Sequence, residues 1–193
     1  MKFIDQLKEK AKQNKKTIVL PETSDMRTIE AAGKVLAEGI ANIILVGDKE
    51  DIMSRAGDID LSGASFVDPK NYEKFDEYVD AFVEMRRKKG MTEARAKELL
   101  LTNPLYFGCM MVKQDDADGM VAGAINASAD VLRAALQTLK TAPGTRIVSA
   151  FFLVVVPDCQ YGANGTFVFA DAGLNQSPSA SELADIAEQS AKS

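Results

Sequence analysis

The sequence contains no histidine among its 193 residues. This absence excludes Ser-His-Asp triads, Cys-His pairs, histidine general bases and nearly all zinc sites. Any chemistry must therefore use Asp, Glu, Lys, Arg, Ser, Tyr or Cys side chains.

Cysteine and long apolar runs are also scarce. The two cysteines, Cys109 and Cys159, have no CxxC spacing, so we expect free thiols in a reducing compartment rather than a structural disulfide. No window reaches eighteen apolar residues, and residues 1–10 alternate charged with apolar side chains, unlike a signal peptide. These features predict a cytoplasmic protein with no membrane partner.

Positive charge is in the minority. Lys and Arg number 23 against 28 Asp and Glu, which gives a formal net charge of −5. A nucleic-acid partner requires a broad basic face, so this balance argues against one. The 46% of hydrophobic and 26% of charged residues are typical of a globular chain with a real core.

Apolar runs alternate with helical patterns in the first part of the chain. This rhythm predicts a doubly wound, mostly parallel α/β sheet. The predicted strands cover residues 17–20, 43–46, 65–67 and 120–122. The predicted helices cover residues 2–13, 25–38, 49–56, 71–89, 92–101 and 104–114, followed by one from about 126 to 140.

Proline and glycine in the segment 141–145 stop the preceding helix and mark the expected domain boundary. We expect a first α/β domain over residues 1–145 and the beginning of a second, apparently truncated, over 146–193. The second part reads as a long apolar strand at 146–156 with a buried Val-Val-Val at its end. An Asn164-Gly165 turn, a return strand at 166–170 and a helix at 179–192 follow.

Residues 118–133 run from a short strand through two glycines into the start of a helix. A helix N-terminus has unpaired N–H groups that favour an anion, and the Arg133 guanidinium can reach back to it. The pattern thus predicts a phosphate site at residues 123–128. The alternative, which the spacing alone favours, makes Asn126, Ser128 and Asp130 ordinary N-cap residues and Arg133 a solvated charge.

Three other segments have two interpretations each. Glu22 and Arg27 follow the first strand, where they line either a ligand cleft or a proline turn with a capped helix. The cations at 86–89 either bind a phosphate-rich nucleotide or complement a helix end with Gly90 at its C′ position. Cys159 follows a predicted strand, but without a histidine to deprotonate it, a passive thiol near a site is favoured over a nucleophile.

Taken as a set, several segments closely resemble those of the phosphate acetyltransferase (phosphotransacetylase) family, and the match runs over all 193 residues. The segments are Leu-Pro-Glu at 20–22 with Asp25 and Arg27, residues 43–47, Asp118-Gly119 with Gly123-Ala124 and residues 128–133, Ser-Ala-Phe-Phe at 149–152, Val-Pro-Asp-Cys-Gln-Tyr-Gly at 156–162, and Phe-Ala-Asp-Ala-Gly at 169–173.

The resemblance implies reversible acetyl transfer between acetyl phosphate and coenzyme A, with phosphate as the other product. It also implies a cleft between two α/β domains of a homodimer, a fold similar to isocitrate and isopropylmalate dehydrogenases, and coenzyme A as a substrate with no permanent cofactor and no metal. The expected substrate-binding residues are Arg133, Ser128, Asn126, Gly123, Ala124, Arg86, Arg87 and Arg27, with Cys159 near the site and not essential.

Two departures from the family pattern stand out. Asn126 and Ala127 replace a histidine and a serine that many members have. The family chain also continues beyond Ser193, and its later part supplies the serine, arginine and aspartate credited with orienting substrates and deprotonating the thiol. We therefore expect no catalytic residue within residues 1–193, and doubtful activity for this piece alone.

Two other functions compete with the acetyltransferase. One is a non-catalytic sensor module that binds acetyl-CoA or an acyl phosphate. The other is a nicotinamide-dependent dehydrogenase on a related fold, which the missing glycine fingerprint disfavours.

Overall fold

A computed structural model of the chain describes residues 3–193. These residues form two compact units that divide after Lys140. The sequence placed the boundary at 145/146, and the suggestion that 146–193 begins a second α/β domain stays a prediction.

The first unit is built on a four-stranded parallel sheet with the strand order β3-β2-β1-β4. Every neighbour in the sheet is parallel, which confirms the predicted α/β class. β4 is shorter than predicted and ends before Gly123 turns the chain with a φ of +110°. The strands are β1 (Lys16–Leu20), β2 (Ala41–Val46), β3 (Ser65–Val67) and β4 (Gly119–Met120).

Seven α-helices belong to the described part of this unit. The helix predicted over 71–89 is wrong in its bounds: Asp68 caps a separate 3₁₀ turn at Pro69–Asn71, and a second 3₁₀ turn at Arg87–Lys89 ends at Gly90. The helix predicted from residue 2 is described from Phe3 onward, since Lys2 lies outside the described residues. The helices are α1 (Phe3–Gln13), α2 (Met26–Glu38), α3 (Lys49–Ala56), α4 (Phe75–Arg86), α5 (Glu93–Thr102), α6 (Pro104–Lys113) and α7 (Ser128–Thr138).

The core lies on both faces of the sheet, because successive strand residues point to opposite faces. Val19 packs with Phe82, Phe107 and Met110 on one side. Leu20 packs with residues of α2 and α3 on the other. Burial on both faces is the property that a doubly wound sheet requires.

The second unit contains an antiparallel pair, β5 (Phe151–Val155) with β6 (Thr166–Ala170), and the helix α8 (Ala180–Lys192). Ser179 and Glu182 form a capping box that fixes the start of α8. Asn164 and Gly165 both have positive φ, 54° and 81°, and close a tight turn between Ala163 and Thr166. The predicted turn and the strand 166–170 are thus confirmed.

The long strand predicted over 146–156 is wrong. Only Phe151–Val155 has a partner strand, and the backbone before it is held differently: the Asn175 amide donates to the Val148 carbonyl at 2.9 Å. The predicted core position of Val155 and Val156 is also wrong, because their exposed fractions are 46% and 42%. A two-stranded ladder leaves these apolar side chains without a covering layer.

Candidate anion-binding site

The site lies at the carboxyl ends of β1 and β4, where open parallel sheets bind their ligands. Val121 extends the pairing past β4 by donating its N–H to the Val19 carbonyl at 3.0 Å. The chain after β1 is tied to β2, because the Thr23 hydroxyl donates to the Val46 carbonyl at 2.6 Å. Two neighbouring loops, residues 21–24 and 121–127, are therefore held side by side.

Glu22 joins these two loops. Its carboxylate is 2% exposed and accepts the N–H groups of Gly123 and Ala124 on Oε2, both at 2.6 Å. Oε1 accepts the N–H groups of Ile125 at 3.2 Å and Asn126 at 2.9 Å, and the Asn126 amide Nδ2 at 2.7 Å. The positive φ of Gly123 lets successive N–H groups converge into a concave anion site.

This arrangement changes the site expected at 123–128. The turn does hold an anion, as its glycine pattern indicates, but the anion is the chain's own Glu22 carboxylate. Burial raises the pKa of Glu22, while the hydrogen bonds from Asn126, Ala124 and Ile125 outweigh it and hold that pKa below its usual range. Glu22 is therefore charged at neutral pH, and Gly123, Ala124 and Asn126 contribute their N–H groups to it.

Asn126, the departure from the family pattern, therefore has a structural partner. Its side chain is not the N-cap of α7, because Ala127 occupies that position and offers no side-chain acceptor. Ser128 is the first residue of α7. The Asp130 N–H donates to the Ala127 carbonyl at 2.9 Å, which leaves the N–H groups of Ser128 and Ala129 available to an anion.

Arg27 reaches the same loop from α2. Its guanidinium pairs with the N-cap residue Asp25 at 2.7 Å and donates to the Ala124 carbonyl at 2.5 Å. The side chain is nevertheless 71% exposed. Arg27 thus supports the loop and keeps part of its charge facing solvent.

Arg133 and Arg86 lie on α7 and at the end of α4, two helices that contact each other. Arg133 forms an i,i+3 pair with Asp130 at 2.5 Å, and both side chains are about half exposed. The Nε of Arg86 is enclosed and has no hydrogen-bond partner within residues 3–193. Arg87 points elsewhere and pairs with Glu84 on the surface.

Tyr106 is a residue of this region that the sequence analysis missed. It lies on α6, which packs against α7, and its ring meets that of Phe82 edge-on at a centroid distance of 5.9 Å. The signal that could have identified it is a tyrosine inside an otherwise apolar run, Pro-Leu-Tyr-Phe-Gly-Cys-Met-Met at 104–111. Met110 and Met111 in the same run are buried.

Cys159 belongs to the second unit, in the connection between β5 and β6, and is half-buried. Both cysteines are free, as predicted. Burial raises the pKa of the other thiol, Cys109.

Within residues 3–193 no group of three or more His, Cys, Asp or Glu side chains could hold a metal ion. No helix of that range is long and apolar enough to cross a membrane.

Ser193 is not itself a site residue. It follows the last turn of α8 as the C-cap, where its N–H and its hydroxyl both donate to the Gln189 carbonyl, at 3.1 and 3.0 Å. The family's serine, arginine and aspartate are expected at positions after Ser193. That placement of the catalytic groups stays a prediction.

Comparison with known proteins gives a consistent result. Residues 2–193 match the family model described as phosphate acetyl/butaryl transferase. The chain is 52% identical over 193 residues to a phosphate acetyltransferase of Acetivibrio thermocellus and 53% identical over 191 residues to one of Thermoanaerobacterium thermosaccharolyticum. The alignments cover 100% and 99% of this chain and 58% of each relative.

A solved structure is similar as well. The EutD phosphotransacetylase from Staphylococcus aureus superposes with a TM-score of 0.86 at 36% identity, over 98% of this chain and 56% of that one. The chain thus spans a little over half the length of the relatives that it matches. With the family model matched from residue 2 to residue 193, the chain belongs to the phosphate acetyl/butaryl transferase family.

Proposed function

We propose that the protein containing this chain transfers an acetyl group reversibly between acetyl phosphate and coenzyme A, as part of acetate metabolism. The observation that carries this proposal is the match of residues 2–193 to the transferase family. The cations and open N–H groups near the start of α7 fit a phosphorylated substrate.

In the proposed reaction, the coenzyme A thiolate attacks the acetyl carbonyl carbon. A sulfur–carbon bond forms, the carbon–oxygen bond to phosphate breaks, and its electron pair leaves with the phosphate. Arg133, Arg86 and the first N–H groups of α7, which begins at Ser128, hold the phosphoryl group and stabilise the charge that develops on it. The resemblance assigns the base that takes the thiol proton to the later part of the family chain.

Direct transfer needs neither a redox group nor a carrier, so we propose that no cofactor is permanently bound. The two free cysteines support a location in the reducing cytoplasm. The resemblance supports a homodimer, and Phe152 and Phe169, 63% and 57% exposed, supply apolar surface that an interface could bury.

The transferase and the sensor module differ in turnover. The full-length protein incubated with acetyl phosphate and coenzyme A is expected to consume free thiol and release inorganic phosphate in equal amounts. Binding of coenzyme A without thiol consumption would instead favour the sensor. A change in nicotinamide absorbance with a 2-hydroxy acid would favour the dehydrogenase. The relatives named as acetyltransferases favour neither alternative.

Arg133→Ala in the full-length protein is expected to lower kcat/KM by roughly tenfold to a hundredfold, because a hydrogen bond to a charged group is worth about 1.5–3 kcal/mol. The measurement is steady-state thiol consumption with each substrate varied in turn. Lys12→Ala is the matched control, since it breaks a comparably exposed i,i+3 pair with Glu9 on α1. Unchanged kinetics in Arg133→Ala would remove this residue from the site.

Cys159→Ala in the full-length protein is expected to keep substantial turnover, because residues 1–193 contain no histidine to activate the thiol and direct transfer forms no acetyl-enzyme. Mass spectrometry of protein quenched during turnover checks the same point. An acetyl thioester on Cys159 would contradict the proposal.

A further inference from the structure

Tyr106 has an unusual environment for a buried tyrosine. Its side chain is 7% exposed, and its hydroxyl has no hydrogen-bond partner within residues 3–193. The hydroxyl oxygen is not enclosed, however, since the enclosed side-chain atoms without a partner in that range are Arg86 Nε and Ser190 Oγ. The ring is thus fixed in the core while its O–H stays open to an acceptor that enters from solvent.

The charges around Tyr106 indicate the chemistry of that acceptor. Arg133 and Arg86 act on its hydroxyl to lower the pKa, while Cys109 and Asp130 act to raise it. The helix α4 brings Arg86 toward Tyr106. Arg86 follows Phe82 by one helical turn, and the Phe82 ring contacts Tyr106. The enclosed Nε of Arg86 is unpaired as well. Unused donors with two positive charges fit an anion with several oxygen atoms.

The protonation state of Tyr106 agrees with a donor role. Burial raises the pKa of its hydroxyl, and the nearby Arg133 and Arg86 offset this only in part. The group is therefore an O–H at neutral pH.

We propose that Tyr106 donates a hydrogen bond to a phosphoryl group held between Arg86 and Arg133, as a substrate-binding residue on α6. This inference rests on the proposed function, since it names a further residue of the same site. A phosphoryl oxygen accepts the tyrosine proton without transfer, and the two guanidinium groups balance its charge. The phosphoryl group is that of the acyl phosphate or one of coenzyme A, which share this chemistry.

The test compares two tyrosine variants in the first unit. Tyr106→Phe keeps the ring against Phe82 and is expected to weaken the binding of inorganic phosphate about tenfold or more, with no loss of stability in urea. Tyr72→Phe removes a hydroxyl that binds Asp116, so it is expected to lower stability and leave phosphate affinity unchanged. Calorimetric titration with phosphate and urea unfolding followed by circular dichroism measure both quantities.

Kinetics of full-length Tyr106→Phe identify the source of the phosphoryl group. A raised KM for acetyl phosphate alone assigns the contact to the acyl phosphate, and a raised KM for coenzyme A alone assigns it to a coenzyme phosphate. Unchanged phosphate affinity and unchanged KM values would overturn the inference, as would lost stability with unchanged affinity. The proposed function is decided separately, by thiol consumption in the unmodified protein.

Discussion

Glu22→Gln is expected to lower the free energy of unfolding by about 3 kcal/mol. The substitution keeps the shape of the side chain, but it turns one acceptor oxygen into a donor that faces N–H groups of the 123–126 turn. Each hydrogen bond to the charged carboxylate contributes about 1.5–3 kcal/mol to stability. In the variant, water that hydrates the partly exposed turn compensates for part of this loss.

Urea unfolding of the variant followed by circular dichroism measures this effect. Glu30→Gln is the matched control, because Glu30 is an exposed residue of α2, and we expect a change within about 0.5 kcal/mol. If both variants unfold at the urea concentration of the unmodified chain, the carboxylate does not hold the turn.

The same carboxylate gives the stability a pH dependence with a definite sign. The pKa of Glu22 is lower in the folded chain than the usual value of about 4.3 for an unfolded one. Its contribution is therefore fully present above the unfolded pKa and is lost as the pH falls through the folded one. Titrating the unfolding midpoint from neutral to acid pH is expected to show a smaller decline in Glu22→Gln than in the unmodified chain.

Asp116→Ala is also expected to have a large effect and to lower the free energy of unfolding by about 2–3 kcal/mol. Its carboxylate accepts the hydroxyls of Tyr78 at 2.5 Å and Tyr72 at 3.2 Å, and it pairs with Lys74. Tyr78 is 1% exposed, so its hydroxyl cannot recover a water partner without movement of the core.

The rings of these tyrosines connect the network to the core. Tyr72 and Tyr78 meet at 5.3 Å, and each contacts Phe107 of α6 at 5.6 Å. Asp80→Ala on the exposed face of α4 is the control, with an expected change near zero. Equal stability of the two variants would show that the tyrosine hydroxyls do not need Asp116. Burial raises the pKa of Tyr78, so its proton stays in place at neutral pH.

The elements that the sequence predicted best are those set by neighbouring residues. The bounds of α3 (Lys49–Ala56) and β3 (Ser65–Val67) match their predictions, because caps, glycines and apolar spacing act over a few positions. The start of β5 could not be predicted, since the apolar residues before it continue the pattern and the strand begins only where β6 supplies a partner.

The candidate site also combines features set by neighbouring residues, which could be predicted, with contacts between distant residues, which could not. The turn at 123–126 was predicted to bind an anion from its glycine and helix start, and the pattern could not reveal which anion. Glu22 stands in a proline turn after β1, and only the parallel pairing of β1 with β4 brings it to the turn. Tyr106 was missed for a related reason, because a tyrosine in an apolar run indicates core until the arginines beside it are known.

The distance along the chain between Glu22 and its donors has a consequence during synthesis. The contacts span 101 to 104 positions. While a ribosome is still adding those residues, Glu22 has no N–H partners and must stay hydrated, since burying it unpaired is costly. β1, β2 and β3 can pair in the nascent chain, but the carboxyl end of β1 closes only after residue 126 has emerged. The start of α7 thus takes its place only after the strands beside it have been synthesised.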